Sequence, residues 1–314
     1  MPGNPGKITF IVNPNAGMQS VAREWPRIER RAKDRLGAFQ ACITGAQGDA
    51  TRMATRAIME GAELIVCIGG DGTLNEVVNG FMGEDGPLRD EVKLAFIPRG
   101  TGGDFIKTVH LPQEMDEAFD LIKSRPVRLI DLGRIQYMDH RGQTAVRYFH
   151  NVASFGLGGE VDERVNRTTK VFGGFISFIW ATLISLLIYK KKLIRLKVDD
   201  LSIPDFVNWN VAVANGQYHG GGMWVAPEAA VDDGLFQITV IGDFSLPEVF
   251  WSLPQLYNGK LLQLEKVISY VGKKVEACSD QKVLLDIDGE QPGCLPATIE
   301  IVPKCLNLIT PNHP

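Results

Sequence analysis

Residues 69–76, Gly69-Gly70-Asp71-Gly72-Thr73-Leu74-Asn75-Glu76, decide how the rest of the chain is read. The run before them, Leu64-Ile65-Val66-Cys67-Ile68, is short and wholly apolar, as a strand covered on both faces of a parallel sheet is. After them Leu74, Val77, Val78 and Phe81 recur at i, i+3, i+4 and i+7, the stripe of an amphipathic helix. A glycine-dense turn between a strand and a helix N-terminus lets backbone N–H groups converge on an anion, phosphate above all. Gly69, Gly70 and Gly72 give the backbone freedom for that approach. Asp71 would repel a phosphate unless a divalent cation lay between them. The plainer alternative is a tight turn in which Asp71 caps the helix.

The same alternation extends on both sides. Lys7 to Val12 is an apolar strand ended by Asn13-Pro14-Asn15-Ala16-Gly17, and Val21, Trp25, Ile28 and Ala32 mark the helix after it. The other face of that helix carries Arg23, Arg27, Arg30, Arg31, Lys33 and Arg35. A solvated face is the simpler reading, and contact with anionic lipid the sharper one. Phe39 to Thr44 reads as a strand and Ala50 to Glu60 as a helix. Lys93 to Pro98 is a further strand, followed by a second glycine loop, Arg99-Gly100-Thr101-Gly102-Gly103-Asp104. Met115 to Lys123 is a helix and Pro126 to Leu132 a strand with Asp131 near its end. This order predicts a doubly wound α/β layer whose ligands lie beyond the strands' C-terminal ends. Those ends carry Asn13, Thr44, the two glycine loops and Asp131. There is no GxxxxGK[ST] segment, which excludes a P-loop enzyme.

From about residue 134 the texture becomes period-two: Ile194, Leu196 and Val198 against Arg195 and Lys197, then Trp209, Val211 and Val213, then Phe236, Ile238 and Val240. An antiparallel β domain is expected there. Within it Val171 to Tyr189 is a nineteen-residue run without a charge, flanked by Lys170 and Lys190-Lys191-Lys192. It fits a helix packed on the β domain, a membrane-surface helix, or a span. Two turns carry polar chemistry. In Ala230-Val231-Asp232-Asp233-Gly234-Leu235 an acidic pair precedes glycine, which suits either a hard cation or a plain hairpin. In Asp286-Ile287-Asp288-Gly289-Glu290 acids crowd one strand end, which calls for a shared proton, cation or hydroxyl unless the tip is solvated.

The chain as a whole, 314 residues with a formal net charge of −4, has the composition of one large or two ordinary globular domains. Its charge argues against non-specific nucleic-acid binding. Five cysteines, an odd number with no CxxC pair, favour a reducing compartment and no zinc site. The N-terminus lacks the basic and apolar regions of a signal peptide, so a cytoplasmic location is expected.

Taken together, VNPNAG at 12–17, TGAQGDA at 44–50, GGDGTLNEVVNG at 69–80, IPRGTGGDF at 97–105, ANGQYHGGGMWVAPEAAVDDGLF at 214–236 and DIDGE at 286–290 resemble the diacylglycerol kinase catalytic family. The likeness is to its bacterial lipid kinases in particular, with sphingosine kinases as relatives, and it spans nearly the whole chain. It implies an N-terminal α/β nucleotide domain (1–133, rejoined by the tail 306–314) and a C-terminal antiparallel β-sandwich (134–305), with the active site in the cleft between them.

The resemblance also implies ATP as donor, a lipid alcohol as acceptor, Mg²⁺, a peripheral membrane surface and a possible homodimer. Asn13, Thr44, Gly70, Asp71, Gly72, Thr73, Leu74, Asn75, Glu76 and Thr101 would meet ATP. Asp288 would be the general base and Glu290 its acidic neighbour. Asp233, with the carbonyls of Ala230 and Leu235, would hold a structural Mg²⁺; Asp71, Asp104 and Asp131 would hold a water-bridged one at the phosphates. One departure is visible: the family's second loop reads GTGND or GTAND, whereas this chain has Gly103 before Asp104. A shifted hydrogen-bond pattern is expected there rather than a dead site. The rival readings are an NAD kinase or phosphofructokinase-like kinase of a polar substrate, and a catalytically silent lipid-binding protein.

Overall fold

The structure is a computed structural model that describes residues 7–84, 86–100, 102–167 and 188–311. The chain divides into two compact units, Met1–Asp131 with Lys304–Pro314, and Leu132–Pro303.

In the first unit strands and helices alternate: β1 (Ile8–Val12), α1 (Ala16–Leu36), β2 (Gln40–Ile43), α2 (Asp49–Met59), β3 (Leu64–Gly69), α3 (Asp71–Phe81), β4 (Lys93–Pro98), α4 (Asp104–Val109) and α5 (Met115–Ser124). The strands form a parallel sheet in the order β2-β1-β3-β4. Its centre is β1 and β3, where Ile11 registers with Cys42 on one side and Cys67 on the other. Every residue from Leu64 to Ile68 is fully buried, as the unbroken apolar run requires. Phe10, Val66 and Ile97 pack with Val21, Ile28 and Ala32 of α1 and Phe119 and Ile122 of α5. Each such large side chain contributes about 1.5–3 kcal/mol on burial. The helices α2 and α3 meet at Gly80, where a Cβ would come within 2.6 Å of the Ala54 methyl.

One strand is placed differently from the sequence expectation. Residues from Val127 begin a strand, but it runs on for 13 residues as β5 (Val127–Asp139). Its neighbours are β6 (Thr144–Phe149) and the last strand, β17 (Gly293–Ile309). The parallel position beside β4 belongs to Asn307 and Leu308 of β17. Local pattern could not reveal this, because the partner is some 200 residues away in sequence. The basic face of α1 is partly neutralised: Arg31 and Arg35 pair at 2.5 Å with Asp116 and Asp120 of α5, which favours the reading as an ordinary surface face.

The second unit is built of two antiparallel layers. One has the order β14 (Val267–Gly272), β13 (Phe236–Ile241), β10 (Asn210–Ala214), β7 (Val152–Gly156), β16 (Leu285–Ile287). The other contains β17, β15 (Lys274–Cys278), β8 (Lys192–Val198) and β9 (Leu201–Asn208), with the β5–β6 hairpin. Ile194, Leu196 and Val198 point into the core while Arg195 and Lys197 face solvent, so the period-two pattern is a sandwich face. They pack with Phe155, Val213, Phe236 and Ile238 of the facing layer. A short ribbon, β11 (Tyr218–His219) with β12 (Met223–Trp224), and two helices, α6 (Leu157–Arg167) and α7 (Leu246–Ser252), complete the unit. Most of the apolar run 171–189 lies outside the described residues. Among the described residues no helix is long and apolar enough to cross a membrane.

Candidate active site

Each unit carries one cluster of polar groups. In the first, three loops meet at the C-terminal ends of β1, β3 and β4. The Gly69–Gly72 turn and the Arg99–Gly103 loop lie backbone against backbone. A Cβ on Gly100 would stand 2.7 Å from the Gly70 Cα, and one on Gly102 would stand 2.8 Å from the Asp71 carboxylate. The Arg99 N–H donates to the Gly69 carbonyl at 2.6 Å. The third loop joins through Asn13, whose Nδ2 donates to Thr73 Oγ1 at 2.9 Å. Thr44 is anchored beside it, its N–H donating to the Val12 carbonyl at 2.9 Å.

Gly70 is the N-cap of α3, and no side chain caps that end. Its first-turn N–H groups therefore receive no capping bond from an N-cap side chain and carry the positive end of the helix dipole. Asp71 does not cap its own helix. Its Oδ2 accepts the N–H of Gly103 at 3.0 Å, tying the two glycine loops together. Gly103 has φ 69° and ψ 33°, the left-handed region, and is the N-cap of α4. Glycine adopts that conformation freely, and asparagine is the side-chain-bearing residue that tolerates it best. The departure at position 103 thus preserves the backbone geometry.

The other expected residues of this turn face elsewhere. Leu74 and Asn75 are fully buried. Both carboxylate oxygens of Glu76 sit on the N-terminus of α2, accepting the N–H of Gly48 (2.9 Å) and of Ala50 (3.1 Å). That placement spares a bound phosphate its repulsion. Asp49 accepts the N–H groups of Gly45 and Ala46, both at 2.7 Å, which hold its carboxyl below the usual carboxylate range. Asp104 is buried beside Asp71's loop, with Lys107 Nζ at 3.8 Å. Asp131 is fully buried and accepts the Lys304 N–H at 2.6 Å. Burial pushes the Cys67 thiol up, so it behaves as an inert core group. Thr101 lies outside the described residues.

In the second unit the DIDGE segment forms a two-residue hairpin. Ile287 and Glu290 exchange backbone hydrogen bonds at 2.8 and 3.1 Å. Asp288 and Gly289 between them both have positive φ, 48° and 84°, the mark of a type I′ turn. This is a hairpin tip whose Asp288 is buried while Gly289 is exposed. Asp288 Oδ1 accepts the N–H of Asn151 (3.1 Å) and of Val152 (3.0 Å). Its Oδ2 accepts the N–H of His150 at 3.0 Å and lies 2.8 Å from His150 Nδ1. Two residues earlier Asp286 is also buried, with His219 Nε2 at 2.8 Å, Ser154 Oγ at 3.3 Å and the Gly289 N–H at 2.9 Å. Glu290 points outward to Arg147 at 2.7 Å.

His150, Asn151, Ser154, His219 and Arg147 were not anticipated from sequence. His219 sits in the 214–236 block quoted above, and His150-Asn151 precedes the largely apolar strand Val152–Gly156, so both carried a faint signal. On a separate turn the Leu235 N–H donates to Asp233 Oδ1 at 3.0 Å, and Gly234 has φ 75°. Asp233 lines an open depression with Lys273, Lys274 and Glu300. Among the described residues no three His, Cys, Asp or Glu side chains gather as direct metal ligands.

Two family models match the chain: the diacylglycerol kinase catalytic domain over residues 7–135, and the YegS C-terminal NAD kinase beta sandwich-like domain over 151–310. A "Probable lipid kinase YegS-like" of Xanthomonas euvesicatoria is 32% identical over 284 residues, 86% of each chain. A diacylglycerol kinase of Staphylococcus carnosus is 28% identical over 304 residues, 96% of this chain and 94% of the relative. The crystal structure of a diacylglycerol kinase from Bacillus anthracis superposes with TM-score 0.72 at 23% identity, covering 97% and 96% of the two chains, a likeness of fold. With two domain models in sequence and these relatives along its length, the chain belongs to the diacylglycerol kinase catalytic-domain family of lipid kinases.

Proposed function

We propose that the protein transfers the γ-phosphate of ATP to the hydroxyl of a lipid alcohol such as diacylglycerol. The observation that carries this reading is the uncapped N-terminus of α3 beneath two glycine loops whose backbones touch. A side chain at Gly100 would strike the Gly70 Cα, so the close approach of the two loops at the start of α3 depends on glycine, and the backbone N–H groups gathered there suit phosphate oxygens. Asn13, Thr44, Gly70, Asp71, Gly72 and Thr73 line the nucleotide's phosphates in this reading, with Thr101 added from the family resemblance. Leu74, Asn75 and Glu76 serve the site by packing and by fixing α2.

Mg²⁺ suits the donors present. Asp71 and Asp104 are hard oxygen ligands on loops joined by the Gly103 N–H, and Mg²⁺ commonly uses one or two carboxylates with waters and substrate phosphates. When bound it supplies neutralisation of phosphate charge. Asp131 belongs to that set only at a distance, since its Oδ1 is committed to Lys304. The Asp233 turn offers one carboxylate with the Ala230 and Leu235 carbonyls, which suits a second, structural Mg²⁺ by donor type.

The Asp288–Glu290 turn supplies the proton acceptor, with Asp288 as general base. Phosphoryl transfer to an alcohol demands placement more than base strength, because the transition state is loose. A specific observation favours a second assignment. Three N–H groups and His150 Nδ1 already surround the four acceptor positions of Asp288, whereas Glu290 is more exposed. Glu290 then receives the proton and Asp288 anchors the turn. Radiolabelled γ-phosphate transfer from ATP to lipid alcohols in mixed micelles, with NAD as control acceptor, tests the proposal. Label in an extractable lipid supports it. Label on NAD alone, or on nothing although ATP binds, overturns it in favour of the polar-substrate kinase or the silent binder.

A further inference from the structure

We propose that the surface of residues 246–257 docks the protein on an anionic lipid bilayer, an inference that rests on the lipid-kinase reading for its partner. The helix α7, Leu-Pro-Glu-Val-Phe-Trp-Ser, buries none of its residues. Trp251 is 83% exposed, Tyr257 56%, Phe250 44% and Leu246 37%. Single exposed apolar residues are ordinary, but four large ones within twelve residues make a patch that water penalises.

The segment is not loose. Val249 and Leu256 pack inward on the cluster around Trp209, Phe244 and Leu261. Glu248 reaches back to accept the Ser245 N–H at 2.7 Å and its hydroxyl at 2.8 Å. A Cβ on Gly259 would stand 2.7 Å from the Trp224 ring, so the following turn is pressed against the body. The segment therefore has apolar groups on both sides, one side already satisfied and the other held outward.

The chemistry around the patch selects the partner. Tryptophan and tyrosine prefer the headgroup level of a bilayer, where an apolar ring and a polar atom are both accommodated. The Lys190–Lys192 run adjoins this face, since Lys191 Nζ pairs with Asp243 and reaches the Phe244 carbonyl at 3.2 Å. Lys266 pairs with Glu248 at 2.8 Å and lies over the Phe244 ring at 5.6 Å. Counting Lys260 and the exposed Glu265, lysines outnumber carboxylates by two here. The carboxylates Asp243 and Glu248 are both held by lysines, leaving Lys190, Lys192 and Lys260 for anionic headgroups.

The test is co-sedimentation of the full chain with phosphatidylcholine vesicles, with and without phosphatidylglycerol, at low and high salt. Binding to the anionic vesicles that weakens with salt, and falls about tenfold or more in Phe250→Ala/Trp251→Ala, is the expected result. Both side chains are exposed, so unchanged thermal unfolding should accompany the loss. A second readout is quenching of fluorescence by brominated lipid, which should drop in Trp251→Phe. Unaltered vesicle binding by the double variant overturns the proposal. So does a parent dimer, seen by light scattering, that the variant loses while still binding vesicles, since the face then joins two copies. Turnover of a water-soluble short-chain diacylglycerol, measured alongside, reports on the kinase reading independently of docking.

Discussion

Replacing Asp288 by asparagine separates the two roles open to the DIDGE turn. The backbone tolerates the change, because asparagine adopts φ near 48° readily. The hydrogen bonds do not. The carboxylate accepts three N–H groups, from His150, Asn151 and Val152. An amide can keep its single oxygen on two of them, and its NH₂ then faces the third. Each retained bond falls from charge-assisted to neutral, a loss of about 1 kcal/mol, and the orphaned buried donor costs about 1–3 kcal/mol. The sum, about 3–5 kcal/mol, corresponds to a fall in Tm of about 6–20 °C for a domain of this size. Glu290→Gln breaks one partly exposed pair with Arg147 and should cost no more than about 1 kcal/mol. Differential scanning calorimetry and initial rates, measured at a temperature where both variants are folded, complete the experiment. If Asp288 is the base, Asp288→Asn loses about 10²–10⁴ in kcat and Glu290→Gln much less. If Glu290 accepts the proton, the kinetic order reverses while the stability order stays. An Asp288→Asn variant as stable as the parent would refute the hydrogen-bond account of the buried turn.

Substitutions at three further positions follow from local geometry. Gly103→Asn should keep activity within about twofold, whereas Gly103→Val should cost at least about 1–2 kcal/mol in chemical denaturation, because a β-branched residue resists the left-handed region. Gly100→Ala would place a methyl 2.7 Å from the Gly70 Cα, so ATP affinity measured by calorimetry should fall at least about tenfold. The carboxyl of Glu248 is held down to about 2 by Lys266 and by the N–H and hydroxyl of Ser245. A group depressed in the folded state stabilises it above the unfolded value near 4.5 and ceases to do so as pH falls through about 2. Stability against pH between about 5 and 2 should therefore be flatter in Glu248→Gln than in the parent.

What the sequence made legible was whatever rests on local pattern. The apolar run before Gly69 and the helical stripe after it define β3 and α3 without reference to anything distant. The alternation in 194–198 shows which side of β8 is covered for the same reason. Pairing was harder. Nothing near Asn307 announces that it completes a parallel sheet begun at Ile8, because register with β4 is a tertiary matter. Side-chain direction in the glycine turn was also hidden. Glu76 stands three residues beyond Thr73 in the same helix, yet its carboxylate turns to the start of α2, a choice settled by the N–H groups of Gly48 and Ala50.

The acidic turn shows why residue type alone misleads at such sites. An Asp-Gly pair is a strong short hairpin signal, and the hairpin is what the backbone forms here; the family resemblance adds a catalytic expectation to the same two residues. The turn type sets φ positive at Asp288, and the β6–β7 connection aims three N–H groups at its side chain. Backbone N–H donors thus help to hold this carboxyl group in the interior. Glu290, two positions on, returns to the outward face of the hairpin and meets Arg147. Through one left-handed turn, the acid that the family resemblance marks as the base accepts three backbone N–H groups, and its acidic neighbour meets Arg147 instead. Any assignment of the proton acceptor has to begin from that asymmetry.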